Sequence, residues 1–269
     1  MPVSRSPNRD TKPVPRSRSI WPLLLIGLAA VLAVIVAVLP ASAVAHFLPA
    51  SVQAEDFSGS IWHGSAGKFT VNAHNAGALE WRVHPGALLG LALAVDVHWV
   101  KTGFVVDARV SFDRQGFAAH AVKGGGPIED LQEFGVAVGW SGIAGIDFSE
   151  IKGHFAQYLS AVGDVQVSNL TAPQIAEGAD LGGYDLHVGA GAVASDGSVT
   201  AQLKDTGGPL DLQAVVRYSV KQHLGLLTGT VKERANAPPA LLQQLQSLSQ
   251  LRGRDPEGRI PIDLEFTAP

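Results

Sequence analysis

No cysteine occurs anywhere in the chain. That absence excludes a disulfide framework, thiol chemistry and thiolate metal sites, so any exported body must rest on packing and hydrogen bonding alone. Charge is scarce as well. Asp, Glu, Lys and Arg make up 16 % of the residues, and acids outnumber bases 24 to 20. The bases are unevenly placed: Arg5, Arg9, Lys12, Arg16 and Arg18 crowd the first twenty residues against Asp10 alone, so the rest of the chain carries −8 where the whole carries −4. An acidic remainder argues against nucleic acid, which is held through phosphate neutralisation.

Catalytic patterns are missing too. The nine His are scattered, none at the i, i+4 spacing of a helical zinc site. His63, His74, His84 and His98 are the nearest thing to a ligand set, but they fit solvated strand positions better. There is no G-x-S-x-G elbow for a Ser nucleophile. Glu55/Asp56 and Glu129/Asp130 are sequence neighbours, which a strand points to opposite faces, so they read as surface charge. Gly67-Lys68 follows a glycine-rich stretch, yet a phosphate loop fails on spacing: Trp62 stands where its first glycine belongs and Phe69 where its Ser/Thr belongs. The expectation is a protein without catalytic residues, metal or cofactor.

One long apolar run is present. Residues 23–39, LLLIGLAAVLAVIVAVL, carry no charge over seventeen positions, close to the ~20 that cross a bilayer as a helix. Six Leu, two Ile and four Val among them favour insertion by about 5 kcal/mol. The basic flank precedes the run, so the N-terminus is expected in the cytoplasm and everything after Pro40 across the membrane. Ala41-Ser42-Ala43 has the small-x-small form of a signal-peptide cleavage site, but the apolar core is longer than the ~7–15 residues of a signal peptide, which favours a retained anchor.

The remaining composition, with 30 Gly and 16 Pro, suits many short strands joined by turns. Residues 1–20 read as a polar cytoplasmic tail, 21–39 as a transmembrane helix, 40–54 as a linker and 55–269 as a β-rich body with a possible division at 124–127. Residues 55–67 read as a bend around Trp62. Alternation of apolar and polar side chains then predicts strands at 68–72, 79–83, 91–100, 104–112, 116–122, 143–155, 165–170, 184–188, 198–203, 210–218, 224–231 and 259–266. A short helix is expected at Ile128–Phe134. The clearest helix opens at Pro238-Pro239, carries Leu241, Leu242, Leu245, Leu248 and Leu251 on one stripe, and stops at Gly253. The fold class expected is mainly β: a curved antiparallel sheet with one wet face and a few short helices.

Three motifs carry a resemblance. Gly59-Ser60-Ile61-Trp62-His63-Gly64-Ser65-Ala66 comes first, then Trp81-Arg82-Val83-His84-Pro85-Gly86-Ala87-Leu88-Leu89-Gly90, then Gly207-Gly208-Pro209-Leu210. With Leu226–Thr230, Arg234-Ala235, the Pro238–Leu251 helix and Asp255–Arg259, their order resembles protein N of the type II secretion pathway. That resemblance implies an accessory, single-pass component of a Gram-negative inner membrane. Its body would lie in the periplasm, touching other secretion components and exported proteins, with no catalytic residues to carry over. Gly59, Trp62, Gly64, Trp81, Pro85, Leu88, Leu89, Gly90, Gly207, Gly208 and Pro209 are the motif residues expected to mark contact surfaces. A second reading is an AsmA-like periplasmic lipid-handling protein, which would need an apolar sheet face left without a covering core.

Overall fold

The computed structural model describes residues 34–90, 92–154, 159–189, 197–219, 222 and 224–267. The chain forms two units, residues 1–39 and residues 40–269. Of the first, residues 34–37 are helical. Most of the expected membrane helix, residues 23–33, lies outside the described residues, and among the described residues no helix is long and apolar enough to cross a membrane.

The second unit is one antiparallel sheet of thirteen strands in which each strand pairs with its sequence neighbours, from first to last. The strands are β1 (Val52–Gly59), β2 (His63–Val71), β3 (His74–His84), β4 (Leu93–Lys101), β5 (Phe104–Phe112), β6 (Gly116–Pro127), β7 (Ser141–His154), β8 (Leu159–Thr171), β9 (Gly183–Val188), β10 (Ser198–Gly207), β11 (Leu210–Ser219), β12 (Leu224–Glu233) and β13 (Ile260–Thr267). Residues 124–127 do not break this sheet: they close β6, each paired with a residue of β7.

Because successive side chains alternate faces, the pairing register turns the sequence pattern into two surfaces of opposite character. One cross-strand row runs through Phe57, Ala66, Leu79, Trp99, Val106, Gly124, Ile146, Val165, Leu186, Leu203, Ala214, Gly229 and Ile262, with no polar side chain in all thirteen strands. The neighbouring row, on the opposite face, runs Ser58, Ser65, Glu80, His98, Asp107, Lys123, Asp147, Asp164, His187, Gln202, Val215, Thr228 and Asp263. Its charges pair across strands: His98 with Asp107 at 2.7 Å, Lys123 with Asp147 at 3.1 Å, and His187 with Asp164 at 2.6 Å. These exposed pairs contribute a few tenths of a kcal/mol each and fix the register more than they stabilise it.

Only short elements cover the apolar face. A 3₁₀ helix at Ala41–Phe47 places Ala41 against Ala66 and Trp81. A second, Ile128–Phe134, packs Ile128 against Phe104 and Ala144, where the sequence places a short helix. The longest helix among the described residues, α1 (Pro239–Arg252), begins with Pro at its first position and ends at Gly253, whose N–H donates to the Ser249 carbonyl at 2.8 Å. Its Leu241 and Leu245 are buried with Val231, Ile260, Leu181 and Ala172, and Leu248 packs on that cluster. Leu251 does not join it and is 85 % exposed.

The sequence reading and the structure differ at residues 55–67. They are not a single bend but the end of β1, a turn at 60–62 and the start of β2. The alternation that would reveal a strand slips by one residue at Asp56, which adopts φ 56° opposite Gly67. The slip occurs in both strands together, so Ala54 and Phe57 share a side, as do Ala66 and Phe69.

Candidate functional site

The apolar face carries a cavity of about 500 Å³ at its N-terminal end. Its floor is the apolar face of β1–β5: Ala54 and Phe57, Ala66 and Phe69, Leu79, Trp81 and Val83, Leu93, Val95 and Val97, then Val110 and Phe112. Val44 and Leu48 wall it from the connector, Ile61 and Trp62 from the β1–β2 turn, and Leu88 from the 3₁₀ turn Pro85–Gly90. All seventeen lining residues are apolar or aromatic.

Local chemistry explains its shape. The Trp81 ring lies flat on the sheet because its cross-strand partner is Gly64. A Cβ there would stand 2.7 Å from the ring and 2.6 Å from the Ser60 carbonyl. The indole N–H of Trp81 donates to the Ile61 carbonyl at 3.0 Å, which ties the β1–β2 turn to the sheet, and Phe57 meets the ring edge-on at 6.4 Å. Gly59 permits that turn: its φ is 83° and a Cβ would fall 2.4 Å from the His63 carbonyl oxygen. Trp62 and Leu88 sit at the rim, half-buried and exposed.

The motif residues therefore divide. Gly59, Trp62, Gly64, Trp81 and Leu88 converge on one cavity, with Pro85 and Gly90 bounding the turn that carries Leu88; of the Leu89 side chain nothing is described. Gly207, Gly208 and Pro209 are not part of it. They form the β10–β11 turn, where the Arg234 backbone N–H donates to the Pro209 carbonyl at 2.8 Å and its guanidinium to the Gly208 carbonyl at 3.3 Å. The same guanidinium pairs at 2.5 Å with Asp205, whose side chain is buried. This third motif is a structural clamp.

On the polar face behind the cavity, His84 and Arg109 both reach Asp96, each at 2.6 Å. Hydrogen bonds from Arg109 and then His84 pull the Asp96 carboxyl down to about 2. His84 and His98, two of the four His weighed as metal ligands, are thus each engaged by one carboxylate. Among the described residues no group of three His, Asp or Glu is placed to hold a metal ion. Lys68, the lysine of the phosphate-loop alternative, pairs with Glu55 at 3.1 Å.

Phe57, Phe69, Val95, Val97 and Val110 were not singled out from sequence. Each is half-visible as an inward position of an alternating strand, but only the register of five strands brings them to one place.

No curated protein matches the chain, and no solved structure does. The model of one family, described as type II secretion system (T2SS), protein N, matches residues 50–263, from just ahead of β1 into β13. That match takes in β1–β12, the first half of β13, the cavity motifs and α1, and by it the chain belongs to the type II secretion system protein N family.

Proposed function

We propose that the chain is an accessory, non-catalytic component of the type II secretion system that works by contact. Residues 23–39 hold it in the inner membrane with the basic tail in the cytoplasm. The thirteen-stranded body lies in the periplasm, where it touches other secretion components and the folded proteins being exported.

The observation that carries this reading is the open sheet itself. An unclosed meander leaves two edge strands whose backbone groups can pair with another extended segment. The two edges differ. Both carry acids, Glu55 and Asp56 on β1 and Asp263 and Glu265 on β13, but β13 also carries Pro261, whose missing N–H blunts an edge. On β1 there is no proline, and Gln53 and Glu55 are exposed. We assign the protein contact to β1 and Trp62. Trp81, only 9 % exposed, serves packing.

Site-specific photo-crosslinking in intact cells tests this. A photoreactive residue at Gln53 or Trp62 is expected to capture another secretion component, while one at Asp263 on β13 captures none. Failure to recover any secretion component from Gln53 or Trp62 would contradict the assignment.

A further inference from the structure

We propose that the cavity over β1–β5 holds one acyl chain of a membrane phospholipid. The first argument is what the walls lack. Among the described residues, none of the seventeen lining side chains is charged or carries an amide, carboxyl or hydroxyl group. Within the floor the backbone groups of β2–β5, and those of β1 that face β2, are paired strand to strand, and the Trp81 indole N–H is given to the Ile61 carbonyl. A peptide or polar metabolite lying over β2–β5, away from the β1 edge, would lose its hydrogen bonds to water and gain no partner. Hydrocarbon loses nothing, and water itself would lack the two to four polar partners that a buried water needs.

The second argument is continuity. The apolar surface does not stop at the cavity: Phe112 at its edge meets Phe117 of β6 at 6.5 Å between ring centres, and both rings are substantially exposed. A chain longer than the cavity therefore has an apolar track onto which to extend.

The third argument is supply. The uncharged run of the sequence ends at Leu39, and Val44 in the cavity wall follows five residues later. Five residues span at most about 18 Å, so the mouth is tethered within reach of the bilayer that holds residues 23–39. This step rests on the anchor proposed above and not on any protein contact.

The headgroup has no built site. A charged cluster, His63, Glu80, Arg82, Asp96, His98 and Asp107, lines a second depression that shares Trp81 and Val97 with the cavity but has no charged residue in common with it. Selection is by hydrocarbon alone, so binding is expected to be indifferent to headgroup charge and to salt.

The full chain, reconstituted in phosphatidylethanolamine and phosphatidylglycerol vesicles with a phospholipid carrying a diazirine near one acyl terminus, provides the test. After irradiation, lipid adducts are mapped by mass spectrometry. Adducts are expected on β3–β5 as well as on residues 23–39. Filling the cavity with Val95→Phe and Val97→Phe should cut the β3–β5 adducts at least fivefold and leave those on 23–39 unchanged. Phe112→Ser, at the exposed rim, should cut them without requiring the core to repack, and a melting curve for each variant verifies folding. Replacing phosphatidylglycerol with phosphatidylcholine should change nothing. Adducts confined to residues 23–39, or β3–β5 adducts insensitive to both substitutions, would overturn the proposal. Adducts on β3–β5 without any on 23–39 would remove the anchor and leave the cavity assignment standing.

Discussion

Among the described residues four aromatic rings lie over glycines directly opposite them in the adjacent strand: Trp81 over Gly64, Phe117 over Gly153, Phe148 over Gly163, and Phe266 over Gly225. A Cβ at those glycines would come within 2.7, 2.3, 2.7 and 2.2 Å of the respective rings. A flat ring over a bare backbone covers a sheet face that has few helices to cover it, and it leaves no room for a side chain beneath. Gly64→Ala is expected to cost about 2 kcal/mol by displacing Trp81, read as a lower urea midpoint together with altered tryptophan fluorescence. Charged residues make a second point at this scale. Lys101 is largely buried, with Nζ 2.9 Å from Glu133 and 4.6 Å from the centre of the Phe134 ring, and the Lys101 hydrogen bond holds the Glu133 carboxyl below its usual range. Glu133→Gln strands the lysine, whereas Lys101→Met removes the ion and keeps the packing. The first is expected to destabilise the fold more than the second, as measured by chemical denaturation. Asp96 sets a pH dependence. Its folded value of about 2 lies below the ordinary 3.8, so its stabilisation is complete above about pH 4 and is lost as pH falls toward 2. The melting temperature of Asp96→Asn should therefore fall less steeply than that of the unchanged protein between pH 4 and 2.

Among the elements, α1 shows how a helix is held by two residues. Leu241 and Leu245, one turn apart, enter the cluster with Val231 and Ile260, and alanine at either is expected to cost about 3 kcal/mol. Leu251, on the same sequence stripe but solvent-facing, should tolerate alanine within about 0.5 kcal/mol. At 3.6 residues per turn Leu251 falls about 80° around the axis from Leu241, on the side away from Leu245, so it lies at the edge of the stripe. Strands were legible where side chains alternate without interruption: Phe104–Phe112 is β5 residue for residue. They were not legible where backbone replaces side chain. Gly124-Gly125-Gly126 offers nothing to alternate and reads as a break, yet the ladder runs through it, and a Cβ at Gly124 would meet the Val105 carbonyl oxygen at 2.1 Å. Glycine there is close approach between strands, not a hinge. β1 was hidden by the opposite device, one residue at positive φ that moves Phe57 to the face on which Glu55 alone would not predict it.

For the whole molecule, two of the sequence motifs come together at one cavity for a reason that only the register supplies. Gly59–Ala66 and Trp81–Gly90 are some twenty residues apart, and they meet because β2 and β3 pair Gly64 with Trp81. The Gly207-Gly208-Pro209 motif looked similar in composition but closes a turn against Arg234, a local task with no bearing on the cavity. The product is a sheet that is apolar on one face and ionic on the other, with an acidic charge balance and no helix layer across most of it. If residues 23–39 anchor that sheet on the outer side of the inner membrane, protease added to spheroplasts should digest the body and leave a membrane-protected fragment containing residues 1–39; a body that resists digestion until the membrane is dissolved would place it on the cytoplasmic side. The central claim, that this body takes part in export by the type II system, is tested most directly by deleting the gene and assaying the secreted enzymes in medium and periplasm. The account predicts that these enzymes accumulate in the periplasm and fall in the medium, and that the full chain restores their export. An unchanged partition between the two compartments would contradict it.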